Sequence, residues 1–151
     1  MKTSTSKQNE IATVFEIHDA QDVVRLQMEM LETHVNIEQR FIAQELVENM
    51  VASGCPGHLS VTDDVIETDQ EIPDPSVYDH VMALIYKARH MLRNGERGKI
   101  EESSPAEYGG KGFLTILSSG WDLSVERFNC RGMKIVATRI PGQFGSQLHH
   151  T

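Results

Sequence analysis

The chain has 151 residues, a formal net charge of −8 and two cysteines. This length fits one domain with a sizeable core, and an apolar content of 39% with 24% charged residues is typical of a soluble globular protein. No apolar run approaches the roughly 18 residues that a membrane span needs. The acidic charge argues against a nucleic-acid interface built on a basic face.

The polar N-terminus has no apolar signal region, and Cys55 and Cys130 have no metal-ligand spacing. We therefore expect a cytoplasmic protein with free thiols, no membrane contact and no nucleic-acid partner. Residues 1–10 and 142–151 are predicted tails, and 11–141 a single domain.

The first half of this domain predicts a strand and two helices. Ile11 to Ile17 is rich in β-branched and aromatic residues, which favours a strand. Asp19 is a good N-cap for a helix whose apolar residues recur at helical spacing. The members of this apolar stripe are Val23, Val24, Leu26, Met28, Met30, Leu31 and Val35. Asn36, with Gln39 as capping-box partner, begins a second helix that is predicted to end near Ser53.

The second half predicts two hairpins with a helix between them. Strand-like segments at 58–61 and 65–71 precede a Pro-Asp-Pro break, and a periodic helix runs from 76 to 93. Charged residues 96–107 predict a mobile loop, and Trp121–Phe128 and Met133–Ile140 predict a terminal hairpin. Strands and helices that mix without β-α-β alternation predict an α+β fold, a two-layer α/β sandwich.

Three glycines fall within four residues in Tyr108-Gly-Gly-Lys-Gly112, directly before an apolar run. If residues 113–119 form a helix, its free N–H groups and dipole face the glycines and suit a phosphate. If the same residues form a strand, the glycines are only a turn, and the pattern leaves both open.

A carboxylate and an amide lie on one side of the second helix, because Glu45 and Asn49 are four residues apart. An Asn side-chain oxygen is a suitable ligand for an Mg²⁺ ion that bridges substrate phosphates. A Glu one helical turn earlier is a suitable proton acceptor. The same spacing also occurs by chance on polar helix faces.

These two motifs resemble those of the GHKL (histidine-kinase-like) ATPases. Glu45-Leu-Val-Glu-Asn49 resembles the Asn-bearing box of that family, Tyr108 to Ile116 resembles its second glycine box, and the terminal hairpin is similar to its last two strands. The small, free-standing anti-sigma-factor serine kinases are the most similar branch in length and element order. The resemblance implies a mixed, mostly antiparallel sheet with helices on one face.

The resemblance also implies an ATP-binding serine/threonine kinase or partner-switching regulator that acts on a small protein. That small partner would resemble an anti-sigma antagonist. A second protein partner or a homodimer is also compatible with the resemblance. The first two helices are the expected partner surface. Asn49 would bind Mg²⁺ and ATP, and Glu45 would be the general base. The phosphates would contact Gly109, Gly110, Lys111 and Gly112.

One family motif is missing, which leaves two other functions open. The Asp-x-Gly-x-Gly box, whose Asp reads adenine, is replaced by Thr68-Asp69-Gln70-Glu71-Ile72, where Asp69 is the candidate substitute. A helix at 76–93 also occupies the region where many relatives have a nucleotide lid. Two alternatives therefore stay open. One is a catalytically inactive adaptor of the same fold, and the other is an unrelated acidic α+β protein that binds or inhibits a basic target.

Overall fold

The computed structural model describes residues 12–33, 35–95 and 108–141. The expectations for residues 1–10, 96–107 and 142–151 lie outside these ranges. Within them the elements, in chain order, are β1 (Thr13–Ile17), α1 (Ala20–Leu31), α2 (Ile37–Ala52), β2 (Gly57–Val61), β3 (Val65–Glu71), α3 (Ser76–Arg93), α4 (Lys111–Ser118), β4 (Trp121–Asn129) and β5 (Gly132–Arg139).

The five strands form one sheet in the order β1-β2-β3-β5-β4, with antiparallel pairing at every described contact. Alternate strand residues point to opposite faces, and one face carries the buried residues. The core between this face and the helices includes Ile17, Leu59, Ile66, Trp121 and Ile135. The predicted α+β fold, a two-layer sandwich, is confirmed.

Both predicted N-caps are confirmed, and each has a reciprocal partner. The Asp19 side chain accepts from the backbone N–H of Gln21, and Asp22 completes a capping box. The Asn36 side chain accepts from the Gln39 N–H while the Gln39 side chain accepts from the Asn36 N–H, both at 2.8 Å. These bonds satisfy backbone donors that the first helical turn leaves free.

The predicted buried stripe of α1 is partly wrong. Leu26 and Met30 are buried against the core, but Val24, Met28 and Leu31 are exposed. The helix has apolar residues on two sides, and spacing alone does not show which side meets the sheet. In α2, Ala43, Leu46, Val47 and Met50 are buried and Val51 is partly buried.

The ambiguous segment after the glycines is a helix, α4, and Phe113, Leu114, Ile116 and Leu117 form its buried side.

In the described ranges, no helix combines the length and the apolar character needed to cross a membrane.

Gln39 links α2 to the turn between β2 and β3. Its side-chain nitrogen donates to the carbonyls of Thr62 and Asp63, at 3.0 and 3.1 Å, and the residue is buried. We expect Gln39→Ala to lower the free energy of unfolding by about 2 kcal/mol, because it removes the side-chain acceptor of the Asn36 N–H and both hydrogen bonds from a buried side chain to the β2–β3 turn.

Urea denaturation measures this loss. Gln44→Ala in the same helix is the matched control, because the Gln44 side chain only donates to exposed Glu48 at 3.1 Å. A loss of equal size in both variants would show that Gln39 has no special function as a link.

Candidate functional site

The side of α2 that carries Glu45 and Asn49 is turned away from its most buried residues. Both residues are half-buried, while Leu46 and Met50 beside them are fully buried in the core. The apolar side of the helix therefore holds the polar pair in a fixed position, with both side chains on one edge of the core.

The glycine motif, residues 109–112, lies directly against this pair. The Gly109 N–H donates to Asn49 Oδ1 at 3.3 Å. A Cβ at Gly112 would lie 2.9 Å from Glu45 Oε1 and 3.0 Å from Asn49 Nδ2, so only glycine permits this approach. The structure thus brings together two motifs that are about 60 residues apart in the chain.

Asn49 has a defined side-chain orientation. Its amide nitrogen donates to the carbonyl of Glu45 at 3.4 Å, and its oxygen accepts from Gly109. A carbonyl oxygen has two lone pairs, so Oδ1 retains acceptor capacity for a hard cation such as Mg²⁺. Among the described residues, no three His, Cys, Asp or Glu side chains form a group that could hold a metal ion. A cation here would therefore depend on Asn49 together with oxygens of its ligand.

Glu45 is in an environment that disfavours its charge. Burial raises the pKa of this carboxyl above its ordinary value of 4.5, and the nearby negative charge of Glu48 raises it further. A carboxylate with a raised pKa accepts a proton more readily, which is the property that a general base requires.

Tyr108 anchors the glycine motif at its N-terminal end. Its ring is fully buried and stacks on Phe113 with centroids 6.2 Å apart, and its hydroxyl accepts a hydrogen bond from the Gln70 amide. His80 Nε2 lies 3.2 Å from the Tyr108 carbonyl oxygen. Burial also raises the pKa of the Tyr108 hydroxyl, which stays protonated at neutral pH.

Sequence reasoning missed the contribution of Gln70 and His80 to this anchor. Both side chains are at least half-buried. The available signal was in β3, where Thr68 and Gln70 alternate with charged residues and so place two polar side chains on the buried face. There the Thr68 hydroxyl donates to the Gln70 oxygen at 2.6 Å.

The other predicted site residues lie at different positions relative to Glu45 and Asn49. Asp69 is exposed and lies on the sheet face opposite Thr68 and Gln70, so the structure does not bring it to Glu45 and Asn49. Gly110 is buried and is the N-cap of α4, and exposed Lys111 is the first residue of that helix. The motif thus contributes Gly109 and Gly112 to the contact with α2.

A groove of about 910 Å³ lies apart from this cluster, at the ends of β2 and β3 and beside the terminal hairpin. Its lining includes His18, His58, Asp69, Phe128 and Arg131. We place the candidate site at Glu45 and Asn49 instead, because a half-buried carboxylate, a side-chain amide and the glycine backbone converge there.

Comparison with protein-family models, with curated proteins and with solved structures gives no match.

The raised pKa of Glu45 has a consequence for stability. In the folded protein the neutral form of the Glu45 carboxyl is favoured. Its contribution to the free energy of unfolding is therefore fully present below pH 4.5 and is lost as the pH rises through the folded-state pKa. We expect Glu45→Gln, which stays neutral, to gain stability relative to wild type as pH increases from about 4 to 7.

Urea denaturation across this pH range measures the difference. Glu71→Gln, at an exposed strand position, is the matched control for replacing a carboxylate by an amide. A difference between Glu45→Gln and wild type that stays constant with pH would contradict the assigned environment.

We expect Gly112→Ala to fold but to displace Glu45 and Asn49. The atoms that the new methyl group would meet are the ends of two side chains, which move at small cost, and alanine favours helix. The side-chain amide resonances of Asn49 should therefore shift in an NMR spectrum while the melting temperature changes little. Thr115→Ala in the same helix is the control, and unshifted Asn49 resonances in Gly112→Ala would refute the close approach.

Proposed function

We propose that the protein is an ATP-binding regulatory protein of the cytoplasm, with serine/threonine kinase activity or an anti-sigma-type switch function toward a small protein partner. The observation that carries this proposal is the contact between Glu45 and Asn49 on α2 and the glycine motif that precedes α4. A general base, a magnesium ligand and a flexible phosphate loop are the parts that phosphoryl transfer requires.

Each group has an assigned function in this proposal. Asn49 binds Mg²⁺ through Oδ1, and the N–H groups of Gly109, Gly110 and Gly112 bind the phosphates. The N-terminus of α4 has no side-chain cap, so its N–H groups are suited to an anion. Glu45 accepts the proton of the attacking serine or threonine hydroxyl, whose oxygen forms a bond to the γ-phosphorus as the bond to ADP breaks.

The close packing of the glycine motif on α2 gives this site a gate. A group at Gly112 no larger than a methyl would already crowd Glu45 and Asn49, so a triphosphate enters only when the motif moves away. Nucleotide binding is thereby coupled to the conformation of residues 109–112. Such coupling is what a partner would need to distinguish nucleotide states.

A catalytically inactive adaptor is the second candidate, and two observations favour it. Asp69, which would replace the adenine-reading Asp, is on the opposite sheet face, and the buried Tyr108 ring occupies space between the sheet and α4. The helical conformation of residues 111–118 supports both candidates over an unrelated protein in which the glycines are a turn.

Calorimetric titration with Mg·ATP tests the proposal. We expect wild type to bind and Asn49→Ala to bind at least about tenfold more weakly, since loss of a charge-assisted contact to a metal or phosphate is worth roughly 1.4 kcal/mol or more. Gln44→Ala is the control, because Gln44 is on the same helix and should leave binding unchanged. Failure of wild type to bind at millimolar nucleotide would reject the kinase function and leave the two functions without catalysis.

Glu45→Gln separates binding from catalysis. As a near-isosteric change it should preserve Mg·ATP affinity and abolish phosphate transfer to a cognate partner. Equal transfer by wild type and Glu45→Gln would remove Glu45 from the mechanism.

A further inference from the structure

The first two helices carry an unusual set of exposed apolar side chains. Their exposed fractions range from 44% to 74%, although each belongs to a residue type that is normally buried. The residues of this apolar helix patch are Val24, Met28, Leu31, Ile37 and Phe41. They lie on α1, α2 and the two sides of the turn that joins these packed helices. Clustered exposed apolar residues of this kind mark an interaction surface.

The charges around the patch are mainly negative. Residues 19–52 include seven Asp and Glu residues but only two arginines. One of these, Arg25, is already bonded to Asp22 at 2.7 Å and to Glu29 at 2.9 Å. Glu38 is paired with Arg139, and the second arginine, Arg40, lies beside Phe41, so the exposed carboxylates of Glu32 and Glu48 give the rim of the patch a small excess of negative charge. A complementary partner would combine an apolar stripe with flanking lysines or arginines.

We propose that the apolar helix patch binds a basic amphipathic helix of the protein partner. Two packed helices that both present exposed apolar side chains offer the kind of surface that accepts the apolar stripe of a third helix. Complementary charge on the rim would accelerate the encounter and select the partner.

The patch is continuous with the candidate site. Phe41 lies one helical turn before Glu45 on α2, and residues four apart share a side of the helix. A helix bound at the patch would thus bring its chain next to the general base. This step rests on the proposed function, whereas binding at the patch does not.

Other occupants are less compatible with these charges. A second copy of the chain would bring a further net charge of −8 to an acidic rim, and an anionic membrane surface would be repelled in the same way. Neither supplies the positive charge that the rim lacks.

The test uses a synthetic peptide of about five helical turns. It carries leucines at helical spacing and lysines on both flanks, and a second peptide has glutamate in place of every lysine. Fluorescence anisotropy against the full chain should show binding of the lysine peptide and at least about tenfold weaker binding of the glutamate peptide.

Met28→Asp and Ile37→Asp should each weaken binding of the lysine peptide at least about tenfold. Both side chains are more than half exposed, and aspartate is favourable at the first turn of α2, so the variants should fold. Val14→Asp is the matched control, because Val14 is equally exposed but lies on the sheet, and it should leave binding unchanged. Circular dichroism verifies the fold of all three.

Four outcomes would overturn the proposal: equal affinity for the two peptides, equal weakening by Val14→Asp, a wild-type dimer that Met28→Asp dissociates, or wild-type binding to anionic vesicles that Met28→Asp abolishes. Asn49→Ala should bind the peptide as wild type does. Wild-type protein that binds the lysine peptide but does not bind Mg·ATP would reject the kinase function without rejecting the docking surface.

Discussion

The candidate site depends on one constraint, which is the direct packing of the backbone of residues 109–112 on the polar side of α2. Gly112 approaches Glu45 and Asn49 so closely that any side chain would collide with them, and Gly109 donates to the Asn49 oxygen. The buried side of α2 fixes one partner of this contact. Tyr108, held by Gln70, fixes the other. The two anchors together determine where residues 109–112 can lie.

The glycine motif is held at both ends. Buried Tyr108 precedes it, and Lys111 and Gly112 already belong to the first turn of α4. Burial at this contact leaves the Glu45 carboxylate poorly solvated and raises the pKa of the carboxyl. A bound cation with phosphates, or a partner hydroxyl, would supply interactions that the closed state lacks.

Much of this fold follows from local sequence patterns. Asp19 and Asn36 identified both helix starts because a side-chain oxygen at the N-cap is a local requirement, and the terminal hairpin followed from alternation and turn residues. The side of α1 that packs on the sheet did not follow. Met28 and Met30 have similar chemistry, and only the tertiary structure decides which of them is buried. Asp69 failed as a site residue for a related reason, because strand register determines its face.

The most direct test of the central claim is NMR titration with Mg²⁺ and a non-hydrolysable ATP analogue. The account predicts that the largest perturbations fall on the backbone amides of Gly109 and Gly112 and on the side-chain amide of Asn49. Perturbations confined to the groove lined by His18 and Arg131, or none at millimolar analogue, would contradict it.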